Sequence, residues 1–367
     1  MPFLSHPHDP ATLPASEGRA VRQLRIEARK AHGFGKPRAA ALMEALARVL
    51  PRAATIFAII ERWPGDLASD GVIFRLNAGL HDFALSDHGG VLGALYGSGP
   101  LPSDAQLDRA LARMLDERAA ALSRWLAHPT QTNEVARVAG LVAVLGELAV
   151  GDGLPCEVLE LGASAGLNLN FPHYAIVAGG ARVGPGDSPV MLAPDWRGQA
   201  AAMAPCDIIG ARGVDLHPLD PASADDCRSL SAYLWPGEAA RAARLAAALD
   251  VARCHTPMVD SGLASAWLLQ RFAEPQAHGT RRAVFHSMVL QYASAAERAA
   301  IDFAFSLAGA RAEPGRPLAR ISLEWRADRG AVELRVAQWD GAAQRGESRL
   351  AALCHPYGEW IEWRGLG

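Results

Sequence analysis

The sequence predicts an α/β protein in which a doubly wound, Rossmann-like, mostly parallel sheet ends in an antiparallel hairpin and follows an N-terminal all-helical domain. Two observations carry this prediction. Apolar residues recur at helical spacing in the first 150 residues, and strand-like and helix-like runs alternate after that point. We place a helical cap domain at residues 1–150 and an α/β domain at residues 151–367, with an inserted hairpin segment at about residues 172–205.

The helical pattern is clearest just after residue 100. A mainly apolar stripe recurs there every three to four residues and consists of Leu107, Leu111, Met114, Arg118, Leu122 and Trp125, with Arg118 as its polar exception. This spacing predicts one long helix, with Ser103 or Asp104 capping its N-terminus. The segment "GDGLP" at residues 151–155 then breaks the pattern and marks the start of the α/β domain.

Strand-like and helix-like runs alternate after this break. The predicted strands are "CEVLEL", "ARGVDL", "TPMVDSG", "RRAVFHSMVL" and "PLARISLEWRA". Helical runs separate most of them, which indicates right-handed crossovers and a parallel sheet covered on both faces. The segments "AVELRVAQWDG" and "LAALCHPYGEWIEW" predict a closing pair of antiparallel strands, and "HYAIVAGGARVG" predicts the inserted hairpin.

The amino-acid composition indicates which kinds of binding partner to expect. The formal net charge is -3, without the basic excess of most proteins that bind nucleic acids, so we expect a small-molecule substrate and no nucleic acid. The sequence has neither a signal-peptide pattern nor an apolar run long enough to cross a bilayer, so we expect no membrane partner. The five cysteines are scattered and form no C-x-x-C pair, which favours a cytoplasmic location and indicates no metal site.

The stretch "CEVLELGASAGLNLN", residues 156–170, fits two incompatible templates. As G-x-S-x-G, it resembles a nucleophile elbow that presents Ser164 at a sharp turn from strand to helix. As an acid followed by spaced glycines, Glu160, Gly162 and Gly166 form a glycine-rich loop in which backbone amides can approach a bound ligand.

The distribution of acidic residues favours the ligand loop. Glu160 lies in a strand that should be buried on both faces, where an unpaired carboxylate is costly. Asp215 ends the next predicted strand and Asp260 the one after it. Since the carboxyl ends of parallel strands share one edge of the sheet, we expect these three carboxylates at the edge where doubly wound folds bind ligands.

On these residues, the region from about Pro155 to Trp363 resembles the class I S-adenosylmethionine-dependent methyltransferases. That resemblance implies methyl transfer from S-adenosylmethionine to an unidentified small molecule. It also implies a cofactor site formed by Glu160, Gly162, Ser164, Gly166, Asp215 and Asp260. Ser164 replaces the middle glycine of the family's loop. Through "TQTNEVAR", "GVDLHPLD" and "VFHSMVLQY", the whole chain also resembles a bacterial family known as a domain of unknown function, which implies no substrate.

Four further residues are predicted to complete the catalytic site. Methyl transfer needs an oriented acceptor, exclusion of water and, for some acceptors, a base. His286 and Tyr292 follow the fourth predicted strand and are candidates for this role. Asn133 and Glu134 belong to a polar run just before an apolar helix, and we expect them to face the glycine loop.

Three alternatives remain open at this stage. A serine hydrolase would use Ser164 with Asp340 and His355, in the order nucleophile, acid and base. A dinucleotide-dependent enzyme would use the same glycine loop, but the inserted segment makes the spacing to its next acid uninformative. A cofactor-binding or nucleotide-binding protein without catalysis would keep the fold and the loop.

Overall fold

The computed structural model describes residues 17–87, 90–202 and 204–366. The described chain divides into two compact units. One comprises Met1–Gln131 with Arg228–Ala243, and the other comprises Thr132–Cys227 with Arg244–Gly367. This division differs from a boundary after residue 150, because the helix Val138–Asp152 (α8) packs on the sheet of the second unit: Gly140 of α8 lies against Leu334 and Leu323.

The first unit consists of α-helices. In chain order these are α1 (Arg19–Gly33), α2 (Pro37–Val49), α3 (Ala54–Glu61), α4 (Val72–Ser86), α5 (Val91–Tyr96), α6 (Asp104–Glu117) and α7 (Ala119–Ala127). Apolar side chains on the inner faces of these helices form one core, which includes the fully buried Leu24, Leu42, Leu50 and Leu111. The amphipathic spacing of the sequence therefore produces a helical unit, as predicted.

The predicted long helix after residue 100 is two helices. Ser103 caps α6 through a capping box with Gln106, and the helix ends before Arg118, whose backbone leaves the helical conformation at φ -114° and ψ 17°. The apolar stripe continues across the break, since Leu111 and Leu122 are both fully buried in the same core. The stripe was predicted correctly, but the uninterrupted helix was wrong.

Within the described residues, the second unit contains a nine-stranded sheet. The strands are β1 (Cys156–Leu161), β5 (Asp195–Gly198), β6 (Ile208–Asp215), β7 (Val259–Ser261), β8 (Arg281–Ser287), β9 (Leu318–Trp325), β10 (Val332–Trp339), β11 (Arg349–Cys354) and β12 (Trp360–Trp363). Their order is β5-β12-β11-β10-β9-β8-β1-β6-β7. The strands from β7 to β9 are parallel, whereas β9 to β12 run antiparallel to one another. The predicted fold class is confirmed.

The sheet ends in a longer antiparallel meander than predicted. The sequence "LAALCHPYGEWIEW" forms two strands, β11 and β12, instead of one. A turn separates them, in which the Gly358 N–H donates to His355 O and Gly358 has a φ of +68°. A Cβ at Gly358 would lie 2.7 Å from the backbone of Ala136, so a distant contact also requires glycine here.

The helices α11 (Ala264–Ala273) and α12 (Ala295–Gly309) pack on the sheet, and a small second sheet follows β1. The helices α9 (Ala224–Ala232) and α10 (Ala239–Cys254) are each divided between the two units, since residues 228–243 belong to the first. Side chains of α11 and α12, including Trp267 and Phe305, share a core with Leu159 and Leu161 of β1. In the inserted segment, β2 (Ala175–Ala178) and β3 (Ala181–Val183) form a hairpin, to which β4 (Met191–Leu192) adds a strand. None of the helices in the described ranges is both long and apolar enough for a bilayer crossing.

Candidate functional site

The parallel strands define where a ligand is expected. Taken in chain order, β1, β6, β7, β8 and β9 are arranged as 3-2-1-4-5 across the sheet, which is the order of the Rossmann fold. After β1 the chain adds β6 and β7 on one side of β1, and it then adds β8 and β9 on the other side. The topological switch point therefore lies between β1 and β8. Ligands of open α/β sheets bind outside the carboxyl ends of the strands at this point. The glycine-rich segment, residues 162–168, begins there.

The glycine-rich segment has an unusual backbone conformation, and its first two N–H groups donate hydrogen bonds within the protein. Gly162, Ser164 and Gly166 all have φ between +55° and +70°. The N–H groups of Gly162 and Ala163 donate to Val214 O, at 2.8 and 3.0 Å. These amides therefore hold β1 to the end of β6. The prediction that they face a ligand is not supported by this geometry.

Both glycines make room for other side chains of the protein. A Cβ at Gly162 would lie 2.8 Å from Val289 Cβ, and one at Gly166 would lie 2.7 Å from both Pro257 Cβ and Val259 Cγ2. Such distances are too short for real contacts, and the left-handed backbone adds strain for any other residue. Glycine is required here by the packing of the loops after β8 and before β7.

A cluster of three buried polar side chains, Glu160, Ser164 and Asn168, lies at the end of β1. Glu160 and Ser164 are 2% exposed and Asn168 is 4% exposed. Asn168 Nδ2 donates to Glu160 Oε1 at 2.7 Å. Among the described residues, Glu160 Oε2, Ser164 Oγ and Asn168 Oδ1 have no hydrogen-bond partner. Because a buried polar atom without a partner is costly, such a group of three is typical of a binding site.

The buried carboxyl of this cluster is mostly protonated at neutral pH. Burial, with a smaller contribution from the nearby charge of Asp215, raises the pKa of Glu160 to about 8, against the hydrogen bond from Asn168 and the charge of Arg137. The neutral carboxyl has an O–H donor, while Asn168 Oδ1 is an acceptor and Ser164 Oγ is both. The cluster can therefore bind an uncharged polar group through both kinds of hydrogen bond.

Asp215 and Asp260 have partners within the protein. Asp215 Oδ2 accepts from the Ser164 N–H at 2.9 Å, and its Oδ1 accepts from the His217 N–H at 2.9 Å. Asp260 forms a two-point ion pair with Arg212, at 2.7 Å for each contact, and accepts from Trp267 Nε1 at 2.6 Å. These hydrogen bonds, those from Arg212 first, lower the pKa of Asp260. Because both carboxylates already accept hydrogen bonds within the protein, this geometry favours a structural role for them, and their contact with a cofactor stays a prediction.

The polar run before α8 does reach the glycine-rich segment. Asn133 Oδ1 accepts from the Leu167 N–H at 3.0 Å, in a buried contact. Glu134 accepts from the Ala136 N–H and forms an ion pair with Arg244 at 3.0 Å. Both residues belong to the second unit instead of the helical one. Asn133 thus fixes the segment directly, whereas Glu134 fixes the 3-10 helix Val135–Arg137 that follows it.

His286 is placed as a structural residue. It is fully buried; Nδ1 contacts Glu324 Oε1 at 2.8 Å, and Nε2 accepts from Arg320 Nε at 3.1 Å. Burial lowers the pKa of His286. Since both ring nitrogens are hydrogen-bonded within the protein, this geometry favours a structural role for His286 over the predicted catalytic one. Tyr292 lies on the same loop and is exposed, with its backbone N–H donating to Val289 O at 3.0 Å.

Sequence reasoning missed two residues that organise this edge. Glu324 Oε1 also accepts from the Val289 and Leu290 N–H groups, at 3.2 and 3.3 Å, and so holds the loop whose Val289 packs on Gly162. Asn168 is the partner of Glu160. Glu160 was predicted to matter because it is an acid within an otherwise apolar strand. Glu324 in "RISLEW" shows the same pattern, so its importance could have been predicted in the same way.

The residues of the hydrolase alternative, Ser164, Asp340 and His355, do not form a hydrogen-bonded triad. Asp340 Oδ1 accepts from the N–H groups of Ala342 and Gln344, which makes it a turn residue. His355 Nδ1 accepts from the Tyr357 N–H at 3.2 Å. Ser164 Oγ has no hydrogen-bond partner among the described residues, so neither residue activates it in this conformation. In the same part of the chain, no group of three or more His, Cys, Asp or Glu side chains is arranged to hold a metal ion.

Comparison with known proteins shows the family. A family model described as "Uncharacterized protein conserved in bacteria (DUF2332)" matches residues 21–363, and the chain belongs to this bacterial family. No curated protein and no solved structure matches the chain.

Proposed function

We propose that this member of the DUF2332 family binds S-adenosylmethionine at the end of β1 and transfers its methyl group to a small molecule. The observation that carries the proposal is the cluster of Glu160, Ser164 and Asn168, with three buried polar atoms that have no hydrogen-bond partner among residues 17–87, 90–202 and 204–366. Its position supports the proposal too, since the cluster lies at the switch point of a sheet with Rossmann order.

The proposed contacts differ from those expected from the sequence. Glu160 serves as a neutral donor, and Ser164 and Asn168 supply the remaining polar contacts. Asp215, Gly162 and Gly166 hold the loop in shape without touching the ligand. A neutral, buried cluster suits the hydroxyl groups or the base of a nucleoside better than a phosphate, because it offers no positive charge.

Methyl transfer places modest demands on the protein. The sulfonium supplies its own reactivity, so the enzyme must align donor and acceptor and exclude water. Asn133 and Glu134 contribute by fixing the backbone next to the cluster. Tyr292 is the remaining candidate for a side chain that contacts the methyl acceptor, because it is exposed on the loop after β8.

Calorimetry with S-adenosylhomocysteine tests the proposal. We expect the wild type to bind, and Ser164→Ala and Asn168→Ala to weaken binding by about 1 kcal/mol each, as for a lost neutral hydrogen bond. Asp340→Asn is the matched control, because Asp340 caps a turn elsewhere. Absence of binding by the wild type contradicts the proposal. Binding without methyl transfer to any acceptor identifies the cofactor-binding alternative instead.

A serine hydrolase is the second candidate, and one observation favours it. Ser164 has a φ of +55° directly after β1 and lies between two glycines of left-handed conformation, as in a nucleophile elbow. A fluorophosphonate probe separates the candidates. Covalent labelling that is lost in Ser164→Ala supports the hydrolase, whereas an unlabelled protein that binds S-adenosylhomocysteine supports methyl transfer.

A further inference from the structure

Two cysteines and an arginine meet at the amino end of β1, at the edge of the sheet opposite the glycine-rich segment. Cys156 opens β1 and pairs in register with Arg281 on β8 and with Ile208 on β6. The Cys156 N–H donates to Asp207 O at 2.7 Å. Cys206 directly precedes Asp207, so strand pairing alone brings Cys206 beside Cys156.

The two thiols differ in exposure and in acidity. Cys156 is fully buried, whereas Cys206 is partly exposed. The hydrogen bond between the thiols lowers the pKa of Cys206, and the charge of Arg281 lowers it further. The same hydrogen bond and burial raise the pKa of Cys156. Cys206 is therefore the more acidic thiol of the pair and, being partly exposed, the one that a peroxide can reach.

Arg281 completes the site. Its side chain is 4% exposed and forms an ion pair with Asp152 through Nη2. Among the described residues, Arg281 Nη1 has no hydrogen-bond partner, although it is buried. A guanidinium group close to a pair of thiols can stabilise an anionic sulfur and the oxyanion that leaves a peroxide.

We propose that Cys206 is a site of oxidation by hydrogen peroxide or an organic hydroperoxide, and that Cys156 resolves the product to a disulfide. The Cys206 thiolate attacks one peroxide oxygen, the O–O bond breaks, and hydroxide or alkoxide leaves with the electron pair. Sulfur is oxidised by two electrons to a sulfenic acid. The Cys156 thiol then attacks this sulfur and the S–O bond breaks. One water is released as the disulfide forms. The site is independent of the proposed methyl transfer.

The other cysteines provide internal controls. Cys254 is exposed, Cys354 is buried, and Cys227 is partly exposed with Arg253 Nη2 3.6 Å from its sulfur. Burial raises the pKa of Cys354 to about 12, which makes it unreactive. If exposure alone governed oxidation, Cys254 would react first. The proposal instead requires the partly exposed Cys206 to react first, because it alone has a thiol donor and Arg281 as neighbours.

Brief treatment with hydrogen peroxide, followed by dimedone and peptide mass mapping, tests this proposal. We expect the wild type to lose two hydrogens through a Cys156–Cys206 disulfide that dithiothreitol reverses. Cys156→Ser and Cys156→Ala should instead accumulate a dimedone adduct at Cys206. Cys254→Ser should behave like the wild type, and Arg281→Lys should oxidise more slowly, by about tenfold for one unit of thiol pKa.

The opposite results are equally specific. Preferential labelling of Cys254, or a disulfide that persists in Cys206→Ser, overturns the proposal. An unoxidised pair in the wild type at peroxide concentrations that modify Cys254 overturns it as well. Circular dichroism on each variant shows whether it is folded, so that a folding defect is not mistaken for lost reactivity.

Discussion

Asn168 Nδ2 donates to Glu160 Oε1 at 2.7 Å, and within the described part of the chain Glu160 Oε2 and Asn168 Oδ1 have no hydrogen-bond partner. An Asn and a protonated Glu can satisfy each other through two hydrogen bonds. Here they form only one, so the carboxyl O–H of Glu160 can donate to a ligand and Asn168 Oδ1 can accept from one. This relationship is the basis of the proposed ligand site.

The protonation of Glu160 predicts a pH-dependent stability. Its pKa in the folded protein, about 8, lies above the ordinary value of 4.5, so the folded state holds this proton more tightly than the unfolded state does. The free energy of unfolding should therefore fall as pH rises from about 4.5 to about 8, by on the order of 5 kcal/mol for this group. Urea denaturation across this range measures the fall. In Glu160→Gln it should be smaller, and an identical pH profile for both proteins contradicts the assignment.

Substitution of the loop glycines should destabilise the protein. Gly162→Ala and Gly166→Ala place a methyl group against Val289 or Pro257 on a left-handed backbone, at a cost of about 3 kcal/mol each. Gly210→Ala is the control, because the nearest atom to its Cβ would be Glu157 Cγ at 3.9 Å. Thermal denaturation compares the three. Equal melting temperatures for Gly162→Ala and Gly210→Ala would show that Val289 does not pack as described.

Asp215 should affect stability more than ligand contact. Asp215→Ala leaves the N–H groups of Ser164 and His217 without their acceptors, which should lower the free energy of unfolding by about 1 to 3 kcal/mol. Asp215→Asn keeps one acceptor oxygen and should lose less. Chemical denaturation measures both variants. A fully stable Asp215→Ala that loses affinity for S-adenosylhomocysteine returns Asp215 to the ligand site.

Glu324 should control the loop after β8. Glu324→Ala removes the acceptor for the Val289 and Leu290 N–H groups, so these amides should exchange with solvent deuterium faster. Glu333→Ala is a matched control, since Glu333 pairs in register with Glu324 on the next strand and contacts Arg335 instead. Hydrogen exchange mass spectrometry resolves this peptide. Unchanged exchange in Glu324→Ala argues against the role of Glu324.

Much of the fold was predictable because it depends on local patterns. Alternation between strands and helices after residue 155 predicts the parallel sheet, and β1 has the bounds that "CEVLEL" indicates. The break at Arg118 and the turn that divides β11 from β12 were missed. The second depends in part on the packing of Gly358 against Ala136, which lies far away in the sequence.

The unusual backbone of the glycine-rich segment was predictable, but its contacts were not. Gly162 and Gly166 have the special conformations that their spacing indicates, yet the atoms that fill the space beside them belong to Val289 and Pro257. A sequence pattern does not specify whether a ligand or another loop occupies such a space. For the same reason Asp215 and Asp260 reach their strand ends as predicted and then bind Ser164 and Arg212.

A crystal structure of the protein with S-adenosylhomocysteine tests the central claim most directly. The account predicts that the ligand lies at the carboxyl end of β1, with polar atoms within hydrogen-bonding distance of Glu160 Oε2, Ser164 Oγ or Asn168 Oδ1. A ligand bound elsewhere, or a structure in which these three atoms pair with other residues of the protein and the crystals take up no ligand, would contradict it.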